Sequence, residues 1–167
     1  MLKKIVFIVV LVCTITSGFS QYDVDSLKTI LNKTENKKEK LSTLGDLAIQ
    51  LSKNSSDEQE IYFRKYIVLA KDLEEYDSMA STSRYLVQYY IYQRELEKAQ
   101  QLCDSLLSYK PFFKKPSSEA HLLLKRAAIY FKHENYDSAI KDYSGAQELF
   151  MQSGDSIYAA DAYYFCG

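Results

Sequence analysis

Tryptophan is absent from the 167-residue chain, and only two prolines and five glycines punctuate it. So few turn formers exclude a turn-rich β protein or a low-complexity chain, which makes helix the default reading. An excess of one charge sign is missing too. The 21 Lys and Arg stand against 22 Asp and Glu, a formal charge of −1 that argues against a broad phosphate-binding surface. Two histidines, three cysteines and scattered glycines leave little material for metal or nucleotide motifs. No G-x-S-x-G elbow, phosphate-binding glycine loop or H-E-x-x-H segment occurs. His121 and His133 lack a companion set with zinc spacing, and His133-Glu134-Asn135 reads as a solvated turn. Asp72, Glu74 and Glu75 read as a hydrated helix end rather than an acid-base pair. Nothing here points to an enzyme, a metal or a cofactor.

What is present begins with an export pattern. Lys3 and Lys4 precede the apolar run Ile5 to Cys13, and a polar stretch places Gly18 and Ser20 at the small-residue positions before a cut at Ser20/Gln21. A run of nine residues is too short to span a hydrocarbon core of ~30 Å as a helix. Residues 1–20 are therefore read as a signal peptide and the product as periplasmic or secreted. An uncleaved membrane anchor is the alternative, and acylation at Cys13 is a further one, disfavoured by Val12 before it. Cleavage leaves 147 residues with 19 basic and 22 acidic groups, about −3.

Beyond the leader, apolar residues recur at helical spacing almost without a break. Tyr85, Leu86, Tyr89, Tyr90 and Ile91 mark one stripe, and Leu96, Ala99, Leu102, Cys103 and Leu106 mark the next. The alternation returns as Leu123, Ala127, Tyr130 and Phe131, followed by Tyr136, Ala139, Ile140, Tyr143, Ala146 and Leu149. Lys110-Pro111 and Lys115-Pro116-Ser117-Ser118 separate the two hairpins, with serine available to cap the next helix. Tyr90 and Tyr130 stand 40 residues apart, as do Ala99 and Ala139. The same displacement carries Cys103 onto Tyr143 and Phe63 onto Cys103, so one register covers nearly the whole chain after the leader.

These residues resemble the tetratricopeptide repeat, a helix-turn-helix unit with small and aromatic residues at fixed places. Leu123, Ala127, Tyr130, Tyr136, Ala139, Tyr143 and Ala146 carry the likeness best. Arg126 departs from the family's usual leucine, and Met151 stands where proline is common. Leu86, Tyr90, Ala99 and Pro111 mark a second copy. Leu41, Leu44, Gly45 and Ala48 mark another, which needs about two extra residues in 53–57 to bring Phe63 and Tyr66 into line. The resemblance implies an all-α, right-handed superhelical array of antiparallel helix hairpins. Its organisation would be an N-terminal cap over 21–35 with its helix at 23–33, three hairpins over 36–152, and the first helix of an incomplete fourth repeat over 153–167. The unfinished repeat predicts that this sequence is the N-terminal part of a longer chain.

Cys103 and Cys166 are separated by a whole hairpin in this register. Helices packed at ~8 to 10 Å exceed the ~7 Å a disulfide bridges between Cα atoms, so both read as small buried residues. Lys37, Lys38 and Lys40 alternate with Glu35 and Glu39 as on a solvated face, and at least two of Tyr85, Tyr89, Tyr90 and Tyr92 fall at packing positions, so nucleic acid is not an expected partner.

The family likeness further implies that the first helix of each hairpin lines a concave surface. Through the register, Asp46, Arg84, Gln88, Tyr92, His121, Lys125 and Lys132 point into it. Arg84, Lys125 and Lys132 give that groove positive charge, which suits a protein or peptide segment with acidic groups. The arrangement resembles the carboxylate clamp of chaperone-binding repeats, with Gln88 where one Asn is usual and Lys125 where a second is. The expected activity is that of an exported interaction scaffold. The alternative is the sensory region of a longer bacterial signalling protein, a histidine kinase or DNA-binding regulator, with its output domain after residue 167.

Overall fold

A computed structural model describes residues 23–164, which form eight α-helices with no strand among them. They are α1 Val24–Lys33, α2 Lys37–Lys53, α3 Gln59–Asp72, α4 Tyr76–Tyr92, α5 Leu96–Leu107, α6 Pro116–Lys132, α7 Tyr136–Gln152 and α8 Ser156–Tyr164. A 3₁₀ turn, Lys110–Phe112, joins α5 to α6. The export pattern, Cys13, the Ser20/Gln21 cut and Cys166 lie outside the described residues. Within them no helix is long and apolar enough to cross a membrane.

The helix boundaries follow the period seen in the sequence. α4, α6 and α8 begin at residues 76, 116 and 156, while α5 and α7 begin at 96 and 136. The turns explain this rhythm. Glu74, Arg94, Glu134 and Gly154 all adopt positive φ, between 56° and 74°, directly after a helix. At each, the following N–H reaches back to the last turn: Glu75 to Ala70 O, Glu95 to Tyr90 O, Asn135 to Tyr130 O and Asp155 to Phe150 O, all at 2.9 Å. These are left-handed helix closures that satisfy carbonyls otherwise left open at the helix end. Ser55, with φ 52°, closes α2 in the same way through Ser56 N–H to Leu51 O.

The junction into α6 differs. The sequence suggested a serine cap there, but Pro116 occupies the first turn and Lys115 makes no side-chain cap. Asp77, at the start of α4, takes over. Its carboxylate accepts from Lys114 N–H and Lys115 N–H at 3.1 Å and from Ser118 Oγ–H at 2.6 Å. A residue one full period upstream thereby fixes the entry of α6 and the spacing between two hairpins.

Packing follows chain order, each helix resting on its predecessor. α1, capped by Asp23 accepting from Ser26 N–H, lays Leu27 against Leu47 and Leu51 of α2. Across hairpins α2 meets α4 and α4 meets α6, whereas α3, α5 and α7 make no comparable contact with one another. The first helices are thus drawn together on one side of the layer. The core is a string of clusters along the array, in which fully buried Ala99, Ala127, Ala139 and Ala146 alternate with Phe63, Tyr90 and Phe150. Gly45 serves the closest approach: a Cβ there would meet Tyr66 Cε2 at 3.0 Å, and Tyr66 is itself tethered to Ser78 O. Cys103 is a free, buried thiol that donates to Leu122 O, and burial pushes it up to about 12.

Arg126, the departure from an aliphatic position, has a physical reason. Its Nε and Nη2 donate to the two oxygens of Asp142 on α7, at 2.6 and 3.0 Å, and Nη1 reaches Asp104 on α5. One guanidinium therefore pins three helices where a leucine would pack against fewer. Asp142 is buried, so truncating it to alanine leaves the guanidinium with Asp104 alone and is expected to cost about 2 kcal/mol in urea unfolding.

Glu134 and Gly154 give a paired test of the turns. Glu134→Gly relieves a left-handed glutamate and is expected to stabilise the chain by about 1 kcal/mol. Gly154→Ala is expected to destabilise it by a similar amount through backbone strain alone, since an added Cβ there meets nothing within 4 Å. Equal unfolding midpoints for all three proteins would count against the closure assignment.

Candidate functional site

The side on which the first helices gather carries four of the seven residues singled out in the sequence as one connected cluster. Arg84 on α4 and His121 on α6 face each other across the helix seam. Arg84 Nη1 lies 2.6 Å from His121 Nδ1 and 3.2 Å from Nε2. One turn further along, Lys125 Nζ donates to Gln88 Oε1 at 2.6 Å. The helical spacing of 84 with 88 and of 121 with 125 stacks the two rungs on facing surfaces.

Asp46, Tyr92 and Lys132 stand apart from the cluster. Asp46 is exposed beside the α2–α4 seam, where it lines a cavity of about 360 Å³ with Lys38, Glu75 and Tyr66, and desolvation raises its carboxyl. Tyr92 and Lys132 sit exposed at the ends of α4 and α6.

Three aromatic residues complete the walls. The Arg84 guanidinium lies over the ring of Tyr85 at 5.0 Å and that of Tyr158 at 5.7 Å. His121 packs edge-on against Phe150 and Tyr158, with centroids at 4.9 and 4.8 Å, and those two rings stack on each other. Tyr158 belongs to the first turn of α8, so the site draws on four helices. The 40-residue register places it opposite Ser118 rather than a groove position, and sequence spacing therefore gave no sign of its role.

The electrostatics are one-sided. Among the described residues no carboxylate lies within 4 Å of Arg84 or Lys125. Arg84 Nε is buried without an acceptor. Two half-buried cations held this close repel one another, and each has lost part of its hydration. The Lys125 ammonium is pushed down, first by burial and then by Arg84. The His121 imidazole is pushed down to about 4, by burial first and then by the charges of Arg84 and Lys125. Donor geometry agrees, because a guanidinium N–H at 2.6 Å needs an unprotonated ring nitrogen to accept it. The ring is neutral beside two cations.

Such an arrangement can hold an anion by charge-assisted hydrogen bonds. It contains no nucleophile with a base beside it, and the described residues bring together no group of three or more metal-ligating side chains. Comparison with known proteins returns no matching family model, no curated protein and no solved structure.

A neutral buried histidine has a consequence for stability. Its folded value, about 4, lies below the ordinary 6.5, so the unfolded chain takes up the proton first and stability falls as pH drops from about 6.5 toward 4. Allowing for partial solvent screening, the loss attributable to His121 is about 1 to 2 kcal/mol. Urea unfolding of the wild type and His121→Gln at pH 7 and pH 4.5 isolates it: the wild type should lose more stability than the variant. Parallel losses in the two proteins would remove the neutral-ring assignment.

Proposed function

We propose that the chain is an exported, tetratricopeptide-like interaction scaffold whose first-helix side holds an acidic segment of a partner protein or peptide. The observation that carries this reading is the Arg84–Lys125 pair, two half-buried cations on that side with no carboxylate within 4 Å of either among the described residues. An extended segment suits the site for three reasons. The two rungs follow the helix seam, the aromatic rings of Tyr85 and Tyr158 offer apolar contact beside the charges, and Gln88 presents an amide able to pair with a ligand backbone. Positive φ closures in two pairs twenty residues apart, at 74 and 94 and at 134 and 154, and the gathering of first helices support a right-handed superhelical array with its concave side here. Export of the mature chain from Gln21 rests on the leader pattern in the sequence.

A set of immobilised decapeptides graded in charge tests the reading. Acidic members should bind the wild type more tightly than neutral or basic ones, and Arg84→Ala/Lys125→Ala should weaken that binding by about 1 to 3 kcal/mol while leaving the helical circular dichroism intact. Neither changed residue belongs to the apolar core, so the fold should survive the pair of changes. Equal retention of acidic peptides by the double variant would move the binding surface to the other side of the layer.

A further inference from the structure

We infer that the Arg84–His121–Lys125 cluster seats a single carboxylate group, and that His121 takes up one proton as the carboxylate arrives, so that capture strengthens in mild acid. The inference rests on the scaffold reading above and deepens it by naming the group recognised and the regulation of its binding.

The charge arithmetic of the cluster leads there. In the free protein Arg84 and Lys125 bear two positive charges around a neutral imidazole. A protonated ring would be a third cation within hydrogen-bond distance of a guanidinium, with no carboxylate to offset it. One incoming carboxylate lowers the local total by one. Protonation of His121 then restores the total that the free site already tolerates. The ring thus changes from the acceptor of an Arg84 N–H to a donor, and Arg84 turns its freed N–H toward the same carboxylate.

Of the elements packed around the ring, α5 brings Cys103, whose thiol bears on Lys125 but not on the imidazole, and Asp104, which is held by Arg126. α4 presents Arg84, with the Tyr85 hydroxyl accepting from Arg84 Nη2 at 3.3 Å. α6 itself presents Lys125, α7 the apolar ring of Phe150, and α8 the ring of Tyr158. Only Arg84 and Lys125 act electrostatically on the imidazole, and both oppose its protonation. An anion seated between them supplies the missing opposite term. By linkage, affinity rises as pH falls through the value of the bound ring, and the rise ends near that of the free ring, at about 4. One carboxylate is favoured over a larger anion because the rings of Tyr85 and Tyr158 already lie over the Arg84 guanidinium and Phe150 and Tyr158 already cover the His121 ring.

Hexa-aspartate, blocked at both ends, is a suitable probe because its side chains stay ionised through most of the window. Titrated calorimetrically into the full chain, it should bind about three- to tenfold more tightly at pH 5.5 than at pH 7.5. Proton uptake should appear as a dependence of the heat on buffer ionisation enthalpy. His121→Gln should bind with little pH dependence. An NMR titration of the wild type covers the case in which that variant folds poorly: the His121 ring should titrate at higher pH with the probe present, while the exposed His133 serves as the internal reference. Binding that is lost in Arg84→Ala/Lys125→Ala but indifferent to pH and buffer would overturn the proton coupling and leave the scaffold reading in place. Hexa-aspartate that fails to bind at either pH, or that binds the double variant as well as the wild type, would overturn both.

Discussion

The left-handed closure at the end of a helix is the constraint on which the rest of this structure depends. Each closure turns the chain back within two or three residues, and four of them, at 74, 94, 134 and 154, fall on one twenty-residue grid whose place near 114 is skipped. That spacing makes every hairpin the same size, which lets one pattern of small and aromatic residues mesh with its copy in the next hairpin. Three of the four positions are held by Glu or Arg rather than Gly, so the conformation is imposed by packing of the flanking helices against a local backbone preference of about 1 kcal/mol per residue. Where the rhythm breaks, between α5 and α6, the chain uses proline and a 3₁₀ turn, and Asp77 supplies from a distance an acceptor for the donors at the entry of α6.

From equal hairpins follows the placement of the site. First helices meet across hairpins at α4 and α6, so residues on their facing surfaces are neighbours although 37 positions apart in the chain. A seam between helices excludes water better than an open surface does, and charges placed there interact more strongly with whatever enters. Beside that seam Arg126 of α6 reaches the other way, to Asp142 on α7 and Asp104 on α5, a neutralised arrangement. Adjacent positions of α6 thus carry a compensated cation that holds helices together and Lys125, which has no carboxylate within 4 Å among the described residues.

Much of this was legible in the sequence because periodic packing writes itself into spacing. The 40-residue register located the hairpins and paired the small residues at 99 and 139, whereas the contacts of 84 with 121 and of 88 with 125 join positions 37 apart and come from the facing of α4 and α6. Features that depend on contact between non-equivalent positions stayed hidden. Arg126 looked like a blemish in a packing position because its partners lie on two other helices. Spacing does not mark Asp77, whose partners lie across the next hairpin junction, and Tyr158 sits off the groove register, reaching His121 only because α8 leans on α7. Asp46, Tyr92 and Lys132 do not share the contacts of the cluster: Asp46 lies on α2 beside another seam, and Tyr92 and Lys132 stand at the far ends of α4 and α6.

The identity of residue 121 then acquires a meaning that register alone cannot supply. An aspartate or glutamate there would bond Arg84 at least as well, neutralise Lys125 nearby and make a stronger strut between α4 and α6. It would also cancel the positive field on which the proposed capture of an acidic segment depends. An aliphatic residue would leave Arg84 Nη1 without its acceptor, in a guanidinium whose Nε is already buried and unsatisfied. Histidine in its neutral form meets both demands: it accepts the guanidinium N–H and holds the helices in register while contributing no charge of its own. The position is occupied by the one side chain that can support the seam without neutralising the site, and that can alter its charge when a ligand alters the field.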